Sequence, residues 1–412
     1  MRSESETPFH DGDFTIPVAG RVRRLPPYLF GRINALKQRK RAEGVDVIDL
    51  GMGNPTDPPD PLIRSKLAEA VEDPRNHRYS VSSGIANLRR EVAARYWKRY
   101  GVRLDPDGEV IACIGSKEGF SHMCLALMGP GDTAIVPSPS FPIHVYSVLL
   151  ASGNVISLDC RDPDAFLSNI SYACEHLEPK PKVVIVNFPH NPTGAVLNTS
   201  ELAAIGNLAH EHDFVIVVDE AYDSLVYDNQ THVSLATLDG MRERTITVQT
   251  CSKVYNMGGW RVGWIMGPAD TINRIEAIQS TAISCPTSFA QAGVAAALNG
   301  SIGMGDEPID QLLIRLAGHR DRLVGGLRQI PGISCVQASG GFFVFPNLSS
   351  FAMNSSDLSE HLLNDAGIVT VPGDAFGDHG QGHLRMLFTA PEEDISRGLE
   401  LLTTSLAKLP HN

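Results

Sequence analysis

Short apolar runs recur along the middle of the chain, at 110–114, 133–136, 155–158, 183–187, 214–219, 246–249 and 262–266, with helix-patterned stretches between them. Several are apolar throughout, the pattern of strands covered on both faces by crossover helices. The alternation predicts a doubly wound, mostly parallel α/β domain over 60–304. One stretch, 85–100, shows helical spacing clearly: Ile85, Leu88, Val92 and Tyr96 share a face, and Gly101 supplies a C-terminal stop. Beyond about 305 the style changes, with a long charged helix at 311–327 followed by apolar runs at 340–345, 368–371 and 384–388. Residues 305–412, together with 26–59 (a helical stretch at 33–42 and a strand-like 45–50), read as a smaller α+β domain. Residues 1–25 form an N-terminal arm, polar and irregular to about 20, and the basic, proline-containing 21–27 reads as extended.

Composition narrows the function classes. A chain of 412 residues is too long for one small core, which supports the two-domain division. The formal charge of −12 argues against a nucleic-acid or anionic-membrane surface, so anionic substrates have to be met by local arginines. Seven cysteines lie dispersed without a C-x-x-C pair, which fits buried thiols in a reducing compartment better than disulfides or a zinc site. No run of about 18 apolar residues occurs and the N-terminus has no apolar signal core, so a cytoplasmic protein is expected.

The chemistry concentrates in Thr250-Cys251-Ser252-Lys253, with Arg261 eight residues after the lysine and glycines on either side of that arginine. A strand-end lysine among apolar neighbours is poorly solvated, which lowers its pKa and makes the amine a nucleophile. The hydroxyls of Thr250 and Ser252 and the guanidinium of Arg261 suit a phosphate. An imine-forming lysine beside a phosphate site is what pyridoxal phosphate requires.

Other constellations follow apolar runs, where open α/β sheets bind ligands. Gly115-Ser116-Lys117-Glu118-Gly119 opens a helix and offers backbone N–H groups to a phosphate. Phe141 offers a flat ring in a proline-rich loop, and Asn191, in Asn191-Pro192-Thr193-Gly194, offers an amide donor for a phenolic oxygen. Asp219 ends the most apolar run, where a carboxylate is costly unless it meets a cation such as a protonated pyridine nitrogen. Arg385 stands in an apolar run and is expected to pair with a carboxylate. The turn at Gly51-Met52-Gly53 lets backbone approach a ligand closely. Taken singly, each has an ordinary reading: a surface charge pair, a core phenylalanine, a capping aspartate, a common glycine turn.

Together, in this order and spacing, they resemble the fold-type I pyridoxal-phosphate-dependent aminotransferases of class I/II, over residues 25–405. The resemblance implies that Lys253 bonds the cofactor and shuttles the proton, that Asp219 partners the pyridinium nitrogen, and that His144 supports Asp219. It places Asn191 and Tyr222 on the phenolic oxygen and Phe141 against the ring. Ser116, Lys117, Thr250, Ser252 and Arg261 fall at phosphate positions, with Tyr79 lent by the second subunit of a homodimer. Arg385 matches the grip on the substrate α-carboxylate, and Gly53 the glycine of the substrate loop. Cis peptides are implied before Pro139 and Pro192.

The implied activity is ping-pong transfer of an amino group from a 2-amino acid to a 2-oxo acid. Two features bear on substrate. The stretch 279–283 lacks the arginine with which some members receive aspartate, and Leu25-Pro26-Pro27-Tyr28 with Gly115–Gly119 looks most like the alanine-type branch. Alanine with 2-oxoglutarate is therefore the expected pair, with Arg21, Arg23 or Arg24 as receivers of the distal carboxylate. Diaminopimelate-type, aspartate or aromatic transamination, elimination or decarboxylation on the same scaffold, and a regulatory protein on a retained fold, are the alternatives.

Overall fold

A computed structural model describes residues 17–53, 55, 57–299 and 307–412. Twelve strands occur in it: β1 Ile48–Asp49, β2 Val110–Cys113, β3 Thr133–Ser138, β4 Asn154–Asp159, β5 Pro181–Asn187, β6 Val215–Asp219, β7 Thr245–Thr250, β8 Gly263–Met266, β9 Phe343–Val344, β10 Ile368–Val369, β11 Val371–Pro372 and β12 Leu384–Leu387. Seven of them form one sheet in the order β2-β8-β7-β6-β5-β3-β4. Its pairings are parallel except those of β8, which runs antiparallel to both neighbours. The reason is the connection: no crossover helix separates β7 from β8, whereas a parallel return needs one.

The apolar runs behave as strands buried on two faces. On β5 and β6, Val183, Ile185 and Val217 join the core on one side of the sheet, while Val184, Val186, Ile216 and Val218 join the core on the other. β4 departs from this, since it lies at the sheet edge and none of its residues is fully buried. The expected helix at 85–100 is Ala86–Tyr100, burying Leu88, Val92 and Tyr96 and closing on Gly101 at φ 69°, the left-handed turn that glycine tolerates.

The later runs form a three-stranded antiparallel sheet, β11-β12-β9, and β10 pairs in parallel with β1. This parallel pair joins the segment 48–51 to the C-terminal third of the chain. The 21–27 segment corrects one expectation: Gly20–Arg23 is a short helical turn, and extended backbone begins only around Pro26 and Pro27. The first sixteen residues of the expected arm lie outside the described residues. Among the described residues, no helix is long and apolar enough to cross a membrane.

Candidate active site

The C-terminal ends of β5, β6 and β7 open into a cavity of about 260 Å³, closed on the far side by Phe343 and Arg385. Lys253, three residues beyond β7, lines it; its Nζ donates to the Gly53 carbonyl at 2.8 Å and lies 5.5 Å from the centre of the Phe342 ring. Burial lowers its pKa to about 8, reinforced by the positive charge of Arg385 and Arg261 and opposed by Asp219. The amine thus loses its proton far more readily than an ordinary lysine.

Asp219 is the last residue of β6 and sits in register beside Asn187 of β5. One carboxylate oxygen lies 3.0 Å from His144 Nε2, and His144 Nδ1 lies 2.7 Å from Ser140 Oγ. The other accepts from the Ala221 N–H at 3.1 Å, and Asn187 Nδ2 donates to the Asp219 carbonyl. Every free rotation of this carboxylate is therefore restrained. Asn187 also accepts from the Asn191 N–H at 3.1 Å, which fixes the Asn191-Pro192 turn against the same strand. The peptides before Pro139 and Pro192 are cis, as are those before Pro179 and Pro189.

Tyr222 is buried, with its ring edge-on to Phe342 and Phe343 at 5.3 and 5.4 Å. Burial raises its phenol pKa well above the ordinary value, while Arg385 and a hydrogen bond from Asn191 work the other way. Phe141 caps the helix Pro142–Leu150 at the cavity wall and packs edge-on to Phe30 and His144.

A second group of donors surrounds the start of the helix Ser116–Leu127. Its first-turn N–H groups, those of Ser116 and Lys117 among them, have no partner within the helix, a ready anion site. Thr250 Oγ1 lies 2.8 Å from Ser252 Oγ, and both line the cavity with Ser116 and Arg261. Arg261 adopts φ 55° and donates to the carbonyls of Gly258 and Ile114. Space here is tight: a Cβ on Gly115 (φ 76°) would collide with the Arg261 guanidinium, and one on Gly263 would come within 2.5 Å of the Ser116 nitrogen. The Lys117 side chain points elsewhere, donating to Tyr28 Oη at 3.1 Å with its Nζ 5.5 Å from the Phe141 ring centre.

Arg385 of β12 is buried, and its guanidinium donates to Asn191 Oδ1 at 3.0 Å and to the Gly51 carbonyl at 2.8 Å. Rings of Phe343, Phe376 and Phe30 surround it at 4.6, 5.0 and 5.4 Å. The expected carboxylate partner is not a side chain: among the described residues none bonds to it, and its Nε is buried without a partner. Burial accordingly draws its pKa down to about 10. A charge held dry and unpaired is costly, and an incoming carboxylate relieves that cost.

The basic arm departs from its expectation, while Tyr79, expected to serve a second subunit, takes no part in its own cavity. Tyr79 is 92 % exposed and lies outside the cavity lining. Arg21, Arg23 and Arg24 do not line the cavity either; Arg23 donates to the Val18 carbonyl and Arg24 to that of Gly153. Conversely, Phe30, Asn187 and Phe343 line it without having been singled out, as does Tyr28, noted only within the motif 25–28. Asn187 carried a signal, a polar residue ending an apolar run, whereas the aromatic residues read only as core.

The residues fit pyridoxal phosphate. The cavity offers an amine of depressed pKa, a restrained carboxylate, an aromatic wall and a phosphate-sized nest of hydroxyls, amides and a guanidinium. Comparison with known proteins agrees. The family described as aminotransferase class I and II matches residues 45–402. An LL-diaminopimelate aminotransferase of Dehalococcoides mccartyi is 36 % identical over 382 residues, covering 93 % of this chain and 97 % of that protein. A glutamate–pyruvate aminotransferase of Escherichia coli is 34 % identical over 395 residues, covering 95 % of each. The aspartate aminotransferase from Thermus thermophilus with maleate has a TM-score of 0.88 at 29 % identity, across 95 % of this chain and 100 % of that one. A match over most of the chain, meeting a cavity equipped for that cofactor, places the protein in the class I and II aminotransferase family, as a pyridoxal-phosphate-dependent transaminase.

Proposed function

We propose that the enzyme moves the amino group of a small 2-amino acid, alanine first, to a 2-oxo acid such as 2-oxoglutarate by a ping-pong route. The observation that carries the 2-amino acid reading is Arg385, a buried, ring-caged guanidinium without a carboxylate partner, sharing one cavity with Lys253. It takes the α-carboxylate, with Asn191 beside it. When bound, pyridoxal phosphate supplies a conjugated ring able to accept the electrons left at the substrate Cα. Lys253 would hold the cofactor and, once released from it, remove the Cα proton and later return it. Asp219, set by His144, keeps a proton on the pyridine nitrogen. Tyr222 and Asn191 would hold the phenolic oxygen, and Phe141 would lie against the ring. Ser116, Thr250, Ser252 and Arg261 hold the phosphate, to which Lys117 contributes its backbone N–H.

The exposed Tyr79 fits loan to the neighbouring site of a homodimer. A division into 60–304 and the pair 26–59 with 305–412 is supported by the cavity, whose lining comes from both stretches. Seven cysteines without disulfides fit a cytoplasmic enzyme.

Alanine is supported by the missing arginine at 279–283, where Gln279 turns inward to the Ser82 and Ala112 carbonyls, and by the glutamate–pyruvate relative. Among the described residues four cations line the cavity: Lys117, Lys253, Arg261 and Arg385. With the other three engaged, Lys117 at the Tyr28 hydroxyl is left to receive the distal carboxylate of 2-oxoglutarate. A second reading, diaminopimelate as donor, is favoured by the name shared by several relatives. A panel of donors against pyruvate and 2-oxoglutarate, compared by kcat/KM, decides. Alanine is expected to lead; a tenfold advantage of diaminopimelate or an aromatic donor, about 1.4 kcal/mol in transition-state binding, overturns the alanine reading.

A further inference from the structure

Behind Tyr222 lies a clasp that none of these roles uses. Arg320, on the helix Glu307–Gln329, is a guanidinium only 1 % exposed. Its two terminal nitrogens donate to the two oxygens of Asp228 at 2.7 and 2.8 Å, and one also donates to the Ala338 carbonyl at 3.0 Å. Its Nε donates to Asp321 at 2.8 Å, and the group stacks 4.9 Å over the Tyr227 ring. Burial works against this charge, and the carboxylates of Asp228 and Asp321 more than offset it. A bidentate fork of this kind gives geometry that a hydrophobic residue or a lysine cannot reproduce.

The fork fastens two backbone segments to each other. Tyr227 N–H donates to the Ser339 carbonyl, Gly341 N–H to that of Leu225, and Tyr227 Oη to that of Gly341 at 2.7 Å. Asp228 and Asn229 turn the chain back with φ of 60° and 59°. Each fastened segment carries part of the cavity wall close by. Tyr222 lies on one, while Phe342 and Phe343 lie on the other, packed on Tyr222 and reaching Lys253 and Arg385 respectively.

We infer that Arg320 is a positioning residue for amino transfer: its fork to Asp228 fixes the register between the Tyr222 loop and the Phe342–Phe343 strand. Tyr222 is thereby held against Asn191 and against Phe342, the ring that Lys253 overlies. The inference rests on the role given to Tyr222 under the proposed function.

Two variants test it in the cofactor-loaded enzyme. Arg320→Lys keeps the charge and loses the fork. Asp228→Asn keeps a residue that tolerates the left-handed turn and removes one of the two counter-charges, that of the fork, at a half-exposed position, leaving Asp321 in place. Expected in both is a fall in kcat of about tenfold per folded, loaded site, with the pH midpoint of the cofactor's visible absorbance moved by about half a unit or more. A fall in Tm alone, with kcat and midpoint unchanged, makes the clasp purely structural and overturns the inference. Should Arg320→Lys fail to fold, Asp228→Asn decides by the same two readouts. Tyr222→Phe, measured in parallel, separates the two claims: no effect there rejects the role of Tyr222, whereas an effect there with none in Asp228→Asn rejects the clasp.

Discussion

Lys253 carries a cost in the folded protein that its chemistry exploits. Its pKa falls from 10.5 to about 8, so below pH 8 the fold holds a charged amine in a place that disfavours it. As pH rises from 8 towards 10.5 the unfolded chain keeps more protons than the folded one, so this residue's contribution to stability rises with pH. Cofactor-free Lys253→Met should therefore melt above the cofactor-free parent at pH 7, by about 1–3 °C, and the gap should close by pH 10. Thermal unfolding at the two pH values checks this; equal melting at pH 7 would mean the amine is solvated. Residues such as Lys253, Asp219 and Arg385 were legible because a polar group in or ending an apolar run demands a partner. Phe30 and Phe376 were not, since a buried aromatic ring leaves the same trace whether it cages a guanidinium or fills a core. Lys117 was half legible: its place at the helix start was evident, and its side chain's turn towards Tyr28 depends on a fold the local sequence does not show.

At the scale of elements, the turn from β2 into the helix Ser116–Leu127 bears the most functional weight. Gly115 is needed there twice, for φ 76° and for the space occupied by the Arg261 guanidinium. Gly115→Ala should raise the dissociation constant for pyridoxal phosphate about tenfold or more, since it strains the turn and displaces the phosphate-side cation together. Titration of the cofactor-free variant measures it, and an unchanged affinity would place the phosphate elsewhere. The strands of the large sheet were legible because burial on both faces leaves uninterrupted apolar runs. The direction of β8 was not, because it follows from a missing crossover helix and not from any pattern in the strand itself. The helical turn Gly20–Arg23 escaped notice for a related reason: one turn is too short to show a period.

The whole molecule reconciles a chain of net charge −12 with anionic ligands by concentrating charge locally. Lys117, Lys253, Arg261 and Arg385 line a cavity whose one lining carboxylate, among the described residues, is Asp219. Bulk charge argues against a nucleic-acid surface but could not show this, because the residues come from β6, β12, the β2–helix turn and the β7–β8 loop. In the proposed reaction Lys253 moves the Cα proton in a half-reaction that leaves the amino group on the enzyme. Mixing excess alanine with cofactor-loaded enzyme, without an oxo-acid acceptor, tests it most directly. About one equivalent of pyruvate per site is expected, without free ammonia or carbon dioxide, and essentially none from Lys253→Ala. Continued turnover without acceptor, or pyruvate from Lys253→Ala at a tenth of the parent rate or more, would contradict it.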